Sequence, residues 1–351
     1  MFYSTKNPER ILIMDISLLA IDLAKDVFQL HGNNASGKCV LKRRLRRSEL
    51  LSFIANLPAC KIVTEACSSS NYWAREFRKL GHEVLMISPQ FVKPFVKTNK
   101  TDSADAEAIA EAATRPNMRF VPVKEIWQQE LQALHRARSL MVAQRVAFTN
   151  ALRGFLREHG QVCRSGEKAL FELVSNLLSD ELAFSGIYRD LLMRMLDTIQ
   201  MVQDQINILE RQIKKFADSD ERCKRIQEIN GVGPMTACAL VAAMGDPKTF
   251  KNGRHFSAWL GLVPKQHSSG NKEQLLGISK RGDAYLRSLL IHGARAALQF
   301  AKKHDDYRSK WALKKAEERG HNKAVVALAN RNARVIWAML AKNESYKPIA
   351  A

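Results

Sequence analysis

The sequence has 351 residues, with 55 Lys and Arg against 35 Asp and Glu, which gives a formal net charge of +20 at pH 7. Hydrophobic residues make up 46% of the chain and charged residues 26%, proportions that exclude an intrinsically disordered protein. Apolar stretches such as residues 11–23 are short and contain Asp15 and Asp22, so no membrane span is expected. Six dispersed cysteines without a Cys-x-x-Cys pair exclude a zinc ribbon and favour a reducing cytoplasm. The positive surplus indicates a polyanionic partner, usually nucleic acid.

Positive charge is concentrated in two parts of the chain. Residues 272–351 hold 17 Lys and Arg against seven Asp and Glu. A second group, called here the basic cluster, comprises Lys42, Arg43, Arg44, Arg46 and Arg47. Such a run is often only a solvated surface, but both groups flank the acidic and serine motifs described below. We therefore expect both to contact a nucleic acid backbone.

The N-terminal third alternates predicted strands with predicted helices. Residues 1–16 are expected to be a loose extension. Beyond them, short apolar runs predict strands, and segments of helix-forming residues that stop before Pro or Gly predict helices. The expected strands are 18–23, 27–31, 38–44, 61–64 and 83–87, and the expected helices are 48–55 and 71–80. The polar turn 32–37 makes the second and third strands a hairpin. This order predicts an α/β domain with a mixed sheet over residues 17–125.

Residues 126–217 carry a long-period helical pattern. Leu134, Met141, Phe148 and Phe155 recur every seven residues, and apolar residues from 192 to 216 follow spacings of three and four without a break. This repeat is the signature of a coiled coil. The spacing fits a seam between two copies of the chain and an antiparallel hairpin within one chain equally well.

Residues 218–351 are predicted to form a mainly helical domain. The turn 229–234, followed by an apolar helix over 235–244, predicts a helix-hairpin-helix motif. Gly231 and Gly233 would let the backbone approach a phosphate closely, and the helix N-terminus offers free amides to it. Gly-x-Gly-Pro turns also occur as plain helix connections, so both interpretations stay open.

Four acidic residues are candidates for metal-assisted phosphoryl chemistry, which needs carboxylates that converge from different elements. Asp22 lies in an apolar strand, where a charge is costly unless it is paired or binds a cation. Glu65 follows a strand, at the edge where α/β sheets present their sites. Asp102 and Asp105 are three apart at a helix start and share one face. The plain alternatives are a helix cap for Asp102 and a favourable first-turn acid for Asp105.

Motifs along the chain resemble the signature of the DEDD transposases of bacterial insertion sequences, a group related to the Piv-type DNA invertases. The matching segments are 21–25, 65–67, 89–94, 102–106, 261–264, 268–270, 277–283 and 286–290. They occur in the family's order between about residues 20 and 341. The Cys-Ser-Ser-Ser sequence at 67–70 departs from the pattern, because relatives tend to have glycines after Glu-Ala-Cys.

The resemblance implies an N-terminal RuvC-like domain of the RNase H superfamily, in which Asp22, Glu65, Asp102 and Asp105 bind Mg²⁺. It also implies that a serine of the C-terminal domain attacks a DNA phosphate and forms a covalent serine–DNA intermediate. Ser269 is the expected nucleophile because the family serine directly precedes the glycine, and Ser268 is the alternative. A serine hydroxyl is a weak nucleophile that needs a metal or base to activate it.

The resemblance further implies a structured noncoding guide RNA that pairs with donor and target DNA. A homo-oligomer, either a dimer or a tetramer, is expected as well, with the apolar seam over 192–216 holding the protomers together. The expected location is the bacterial cytoplasm, in association with the nucleoid. The expected nucleic-acid contacts are the basic cluster together with Gly231, Gly233, Lys280, Arg281 and Arg287. Guide–DNA pairing would read sequence while these residues hold the backbone.

Three other functions compete with an RNA-guided transposase. A RuvC-like metal-dependent junction nuclease would have no use for Ser269. A Piv-like site-specific invertase would act without RNA. A non-enzymatic nucleic-acid-binding or assembly protein would leave the four acids unexplained.

Overall fold

The computed structural model describes residues 15–97, 101–180, 184–270 and 272–347. The chain divides into two compact units, Met1–Glu125 and Ile126–Ala351, and each is described by itself. Of the predicted extension over 1–16, residues 1–14 lie outside the described residues. The predicted regions 126–217 and 218–351 both belong to the second unit. Within the described residues, no helix has the length and apolar character needed to cross a membrane.

The N-terminal unit is built on a mixed sheet, as its alternating sequence predicts. The strands are β1 (Leu18–Asp22), β2 (Val27–Asn33), β3 (Cys39–Arg46), β4 (Lys61–Glu65), β5 (Glu83–Ile87) and β6 (Phe120–Val121). Their spatial order is β3-β2-β1-β4-β5-β6. β1, β4 and β5 run parallel, whereas β2, β3 and β6 pair antiparallel with their neighbours. β6 is a two-residue strand that the sequence pattern did not predict.

Helices cover both faces of this sheet, which explains why its central strands are apolar on both sides. The helices are α1 (Arg47–Ala55), α2 (Ser70–Lys79), α3 (Pro89–Val92) and α4 (Asp102–Ala113). On one face, Ile21 and Phe28 pack with Leu50 of α1 and Trp73 of α2. On the other, called here the α4 face, Ala20, Val63 and Ile87 pack with Ile109 and Ala112 of α4.

The second unit begins with three helices: α5 (Ile126–Glu158), α6 (Glu167–Ser179) and α7 (Gly186–Ser219). Arg138 of α5 pairs with Glu210 of α7 through a hydrogen bond of 2.7 Å between Nε and Oε1. Arg145, one heptad later, donates to the side chain of Gln203, one heptad earlier. Residue numbers rise on α5 while they fall on α7, so the two helices pair antiparallel within one chain.

The apolar seam of α7 is buried by this intrachain pairing. Five of its members expose no more than 6% of their surface, namely Leu192, Ile199, Val202, Ile206 and Ile213, and the other three, Met195, Leu209 and Phe216, are half-buried. At the far end of the pair, α6 adds Leu170 and Val174 to the cluster. Of the two pairings that the spacing allowed, the structure has the hairpin. The expectation that this seam joins two protomers is therefore wrong, because the chain's own helices already cover it.

The rest of the second unit is a helical domain with one small hairpin. Its elements are α8 (Glu221–Gln227), α9 (Pro234–Met244), α10 (Gly253–Trp259), β7 (Pro264–Gln266), β8 (Leu275–Ile278), α11 (Ala284–Gln299), α12 (Tyr307–Arg319) and α13 (His321–Lys342). α9 is apolar on nearly every side and lies at the centre, with residues 236–242 buried. α11 and α13 pack with it in a single large core.

The α5–α7 pairing predicts unequal effects for two isoleucines on the same helix. Ile206 is 2% exposed and Ile208 is 38% exposed. Ile206→Ala should lower the free energy of unfolding by about 2–5 kcal/mol, because it leaves a cavity in the seam. The matched control Ile208→Ala should change it by less than about 1 kcal/mol. Chemical denaturation of both variants measures the difference, and equal losses would contradict the described seam.

Candidate functional site

Asp22 and Glu65 end two neighbouring parallel strands. The register pairs Ile21 of β1 with Thr64 of β4, so the next residues along, Asp22 and Glu65, lie side by side. Neighbouring strands are about 4.8 Å apart. Side chains alternate along a strand, so Asp22 points to the same face as Ala20 and Glu65 to the same face as Val63. Both acids therefore lie on the α4 face, and both are half-buried.

Asp102 and Asp105 lie in the first turns of α4, which covers that same face. Thr101 is the N-cap, and its hydroxyl accepts a hydrogen bond of 3.2 Å from the amide of Ala104. The interpretation of Asp102 as the cap is therefore wrong. Asp105 is half-buried and precedes the buried Ile109 by one turn, which puts it on the sheet-facing side of the helix. Asp102, three residues earlier, is exposed on the same side.

The donor chemistry of these four residues fits Mg²⁺, a hard cation that takes carboxylate oxygens. The structure arranges them as one pair at the strand ends and one pair on α4. Within the described ranges, no three His, Cys, Asp or Glu side chains stand close enough together to hold a metal ion. The acids thus share one face of the sheet without forming a closed ligand cluster.

The basic cluster lies on β3, an edge strand of the sheet, and continues into α1. All five of its side chains are exposed. Strand alternation divides them between the two faces. Arg43 pairs with Leu30, whose side chain belongs to the core under α1 and α2. The guanidinium of Arg43 lies 5.0 Å from the ring centre of Phe53 on that same face. Arg47 similarly lies over Trp73.

Arg44 lies in a cross-strand row with Asp22. The antiparallel registers pair Asp22 with Gln29 of β2, and Gln29 with Arg44 of β3. Directly paired residues point to the same face, so all three side chains are on the α4 face. Gln29 is a site candidate that the sequence analysis missed. The short connection between the first two predicted strands, read as an antiparallel pairing that places Gln29 opposite Asp22, was the signal that could have found it.

Lys42 is held by an acidic partner on the same face. Its Nζ donates to Oε2 of Glu107 over 3.3 Å, and Lys97 lies 3.8 Å from the other carboxylate oxygen. The hydrogen bond from Lys42 lowers the pKa of Glu107. Buried His31, paired across the sheet with Lys42, has its own pKa lowered by burial. Glu107 is thus committed to ion pairs, although it follows Asp105 closely in sequence.

The candidate serines lie in an exposed hairpin, called here the serine hairpin, formed by β7, β8 and residues 267–270 and 272–274 between them. Ser268 Oγ accepts a hydrogen bond of 3.0 Å from the side-chain amide of Gln266. Ser269 is paired with Lys272 through its backbone carbonyl, and Gly270 follows in the left-handed region with φ of +57°. The hydroxyl of Ser268 is therefore engaged within the hairpin, whereas the backbone of Ser269 is what closes the loop.

The turn after the serine hairpin leads into α11. Asp283 caps that helix by accepting hydrogen bonds from the amides of Tyr285 and Leu286. Lys280 and Arg281 are exposed on this turn. Arg287 donates to the carbonyl of Leu260 over 3.2 Å, which ties α11 to the end of α10. Lys280 and Arg281 remain available to a polyanion, while Arg287 has an intramolecular role.

The predicted glycine turn has a packing requirement of its own. Gly231 has φ of +88°, and a Cβ there would collide with the carbonyl of Gly293 on α11. Gly233 has ordinary φ of −89° as the N-cap of α9, and a Cβ there would meet open space. Close contact between α11 and the turn therefore requires glycine at position 231, whatever else the turn binds. Position 233 has no such steric requirement.

Two family models match the chain. A transposase model of the DEDD type matches residues 19–160, which include all four acids. A second, described as Transposase IS116/IS110/IS902 family, matches residues 223–309, which include the serine hairpin.

Relatives of nearly full length agree with these matches. The transposase for insertion sequence element IS1111A of Coxiella burnetii is 46% identical over 95% of this chain and 92% of its own length. The transposase for insertion sequence element IS1328 of Yersinia enterocolitica is 38% identical over 92% and 96%. The pilin gene-inverting protein of Moraxella bovis is 23% identical over 95% and 98%. The chain belongs to the IS110/IS1111 family of insertion-sequence transposases, enzymes that cut and rejoin DNA.

The division of the basic cluster between two faces predicts unequal effects on DNA binding. Arg44→Gln should weaken binding of a DNA duplex and reduce the slope of log affinity against log salt by about one, since one phosphate is no longer neutralised. Arg43→Gln makes the same charge change on the face opposite Asp22 and should leave the slope nearly unchanged. Salt titrations of both variants test this, and equal slopes would show that the two faces bind DNA alike.

Proposed function

We propose that this transposase recombines DNA under RNA guidance, through a composite site of carboxylates from the sheet unit and a serine from the helical unit. The observation that carries the proposal is the shared face: Asp22 and Glu65 at adjacent strand ends, with Asp102 and Asp105 on the helix that covers them. This arrangement supports a RuvC-like role for the N-terminal unit. The matching of both family models to the two motif regions supports the pairing of acids with serine.

The four acids would hold Mg²⁺ next to a phosphate of the bound DNA. Bound there, the metal would supply Lewis-acid stabilisation of the charge that develops on phosphate oxygens. Arg44, in the same row as Asp22, would hold the neighbouring backbone phosphate and offset the negative charge that the acids present to DNA.

Ser269 would be the nucleophile. Its Oγ loses a proton and bonds to phosphorus while one phosphorus–oxygen bond of the DNA strand breaks, and the departing oxygen takes up a proton. The phosphodiester energy is conserved in the serine–DNA link. A hydroxyl end of another strand then attacks that phosphorus, restores a phosphodiester and releases Ser269. Ser268, whose hydroxyl is engaged by Gln266, is the weaker candidate.

DNA is the substrate, and a structured noncoding RNA is the proposed guide. The surplus of 20 positive charges supports polyanion binding without sequence reading. A homo-oligomer in the bacterial cytoplasm, in contact with nucleoid DNA, remains part of the proposal. Because the α7 seam is filled within the chain, any such assembly has to use another surface.

Inversion of DNA without RNA is the second candidate, supported by the likeness to the pilin gene-inverting protein over almost the full chain. It would use the same acids and serine. Recombination by purified protein on naked DNA, with no RNA present, would favour it over guided transposition. Hydrolysis to free ends without a protein-linked strand would favour the junction nuclease.

Changing the acids should separate chemistry from binding. Asp102→Asn and Asp105→Asn should each abolish recombination while affinity for DNA stays within about twofold, since one negative ligand is removed and the basic surfaces are untouched. A recombination assay and a binding titration on the same preparations check this. Full activity of either variant would remove that residue from the site.

Changing the serines should separate a recombinase from a nuclease. In denaturing gels of reactions with labelled DNA, wild type and Ser268→Ala should give a protein-linked strand, and Ser269→Ala should give none. Ser269→Ala removes one exposed hydroxyl, so folding and DNA binding should persist. Cleavage that survives in Ser269→Ala but fails in Ser268→Ala would identify Ser268 as the nucleophile. Normal cleavage by both variants would make water the nucleophile.

A further inference from the structure

A cavity of about 210 Å³ lies in the helical unit between α12, α13 and the segment that follows α13. Its lining combines four basic residues, two tyrosines and a short apolar wall of Val335, Ala338 and Met339. The basic residues and tyrosines are Arg308, Arg331, Lys342, Lys347, Tyr307 and Tyr346. Glu344 is the one acidic residue among the described residues that line it. We call this cavity the C-terminal pocket.

The two arginines of the C-terminal pocket are held in place before any ligand arrives. Arg308 is 7% exposed, and its Nη2 donates to the carbonyl of Asn230 over 2.7 Å and to Oδ1 of Asn332 over 2.8 Å. Arg331 lies 5.0 Å from the ring centre of Tyr307 and 4.9 Å from that of Trp311. Guanidinium groups that are already fixed lose little conformational entropy when a ligand binds. More of their electrostatic attraction therefore contributes to the affinity for an anion.

The charges of these arginines are incompletely balanced. Burial lowers the pKa of Arg308, and neighbouring Arg331 lowers it further, while Asp306 and Tyr346 oppose the shift. Asp306, which accepts hydrogen bonds from the amide and the hydroxyl of Ser309, supplies a single negative charge against the two guanidinium groups. Two cations that disfavour each other beside one cavity are stabilised by an anion placed between or near them.

The outer wall of the pocket is also anchored. Asn343 ends α13 in the left-handed conformation and turns the chain back, and its side chain accepts a hydrogen bond from Arg225. The amide of Tyr346 donates to Glu228 over 2.7 Å. These bonds fasten the segment 343–347 to α8 and its following turn, so Tyr346 faces the cavity from a fixed position.

We propose that the C-terminal pocket binds one unpaired nucleotide of a single-stranded DNA, with its phosphate among the basic residues and its ring against the tyrosines and the apolar wall. The basic lining calls for an anion, and the aromatic and apolar lining calls for a flat ring beside it. The volume is below the roughly 300–1,000 Å³ of pockets for larger ligands, which limits the occupant to a single unit. A base inside a duplex is stacked on both sides and cannot pack against the tyrosines. The pocket would therefore select an unpaired base.

Unpaired nucleotides arise where a cut strand separates from its complement before it is rejoined, and the pocket would hold one such strand. Binding in the C-terminal pocket is independent of the proposed serine chemistry. It requires no strand cleavage and can be measured without any.

The test is binding of fluorescein-labelled hexathymidylate to the full chain, followed by anisotropy. Lys342→Gln combined with Lys347→Gln should raise the Kd about tenfold and reduce the salt slope by about 0.7, the single-strand value for one phosphate that is no longer neutralised. The matched control combines Lys302→Gln with Lys314→Gln, two exposed lysines outside the pocket, and should change the Kd less than about twofold.

The tyrosine supplies a second readout. Tyr346→Leu should weaken binding about tenfold with an unchanged salt slope, and Tyr346→Phe should bind as wild type, because stacking needs the ring and not the hydroxyl. Hexathymidylate that carries 5-iododeoxyuridine should crosslink to Tyr307 or Tyr346 on irradiation. Asp102→Asn should give the same binding and crosslink as wild type even though its recombination is abolished.

Three results would overturn the inference. Equal weakening by the pocket pair and the control pair would mean general surface attraction. A crosslink confined to residues outside the pocket would place the strand elsewhere. If the pocket pair weakens binding of a short blunt duplex, or of the matching RNA hexamer, more than it weakens binding of hexathymidylate, the pocket belongs to that nucleic acid instead.

Discussion

The site depends on the parallel pairing of β1 with β4 at the centre of the sheet. A slip of one residue in that register would turn either Asp22 or Glu65 to the opposite face, away from α4. The register is secured by apolar packing on both faces, since Ile21 and Ile62 face α1 and α2 while Ala20 and Val63 face α4. The buried apolar residues before each acid therefore fix where its carboxylate lies.

Grouped carboxylates repel each other, and they also repel the phosphates of DNA. The antiparallel pairing of β1, β2 and β3 offsets this repulsion, because its registers place Gln29 and then Arg44 beside Asp22 on the same face. The edge strand thus supplies positive charge beside the acids on their own face. Lys42 is balanced by Glu107, so it adds less net attraction than its position suggests.

Much of the sheet unit could be predicted from sequence because β1, β2, β4 and β5 are short, largely apolar runs bounded by turn residues, whereas the two-residue β6 is too short to leave such a pattern. The partner of the α7 seam could not, since a spacing of three and four shows that a helix is covered and not which chain covers it. Arg138 with Glu210, and Arg145 with Gln203, decide the question, and both pairs join residues far apart in sequence. The requirement for glycine at position 231 could not be predicted either. It comes from close contact with Gly293, which is far away in sequence.

The serine hairpin gives two serines of the same residue type different surroundings. Ser268 and Ser269 are neighbours, both exposed, and chemically identical. Position in the loop distinguishes them: Gln266 engages the hydroxyl of Ser268, while Ser269 closes the loop with its backbone, just before the left-handed Gly270. The hydrogen bond from Gln266 takes up one of the two acceptor positions of the Ser268 hydroxyl and restricts the direction in which that hydroxyl points. These different contacts are a second ground, beside the family motif, for proposing Ser269 and not Ser268 as the nucleophile.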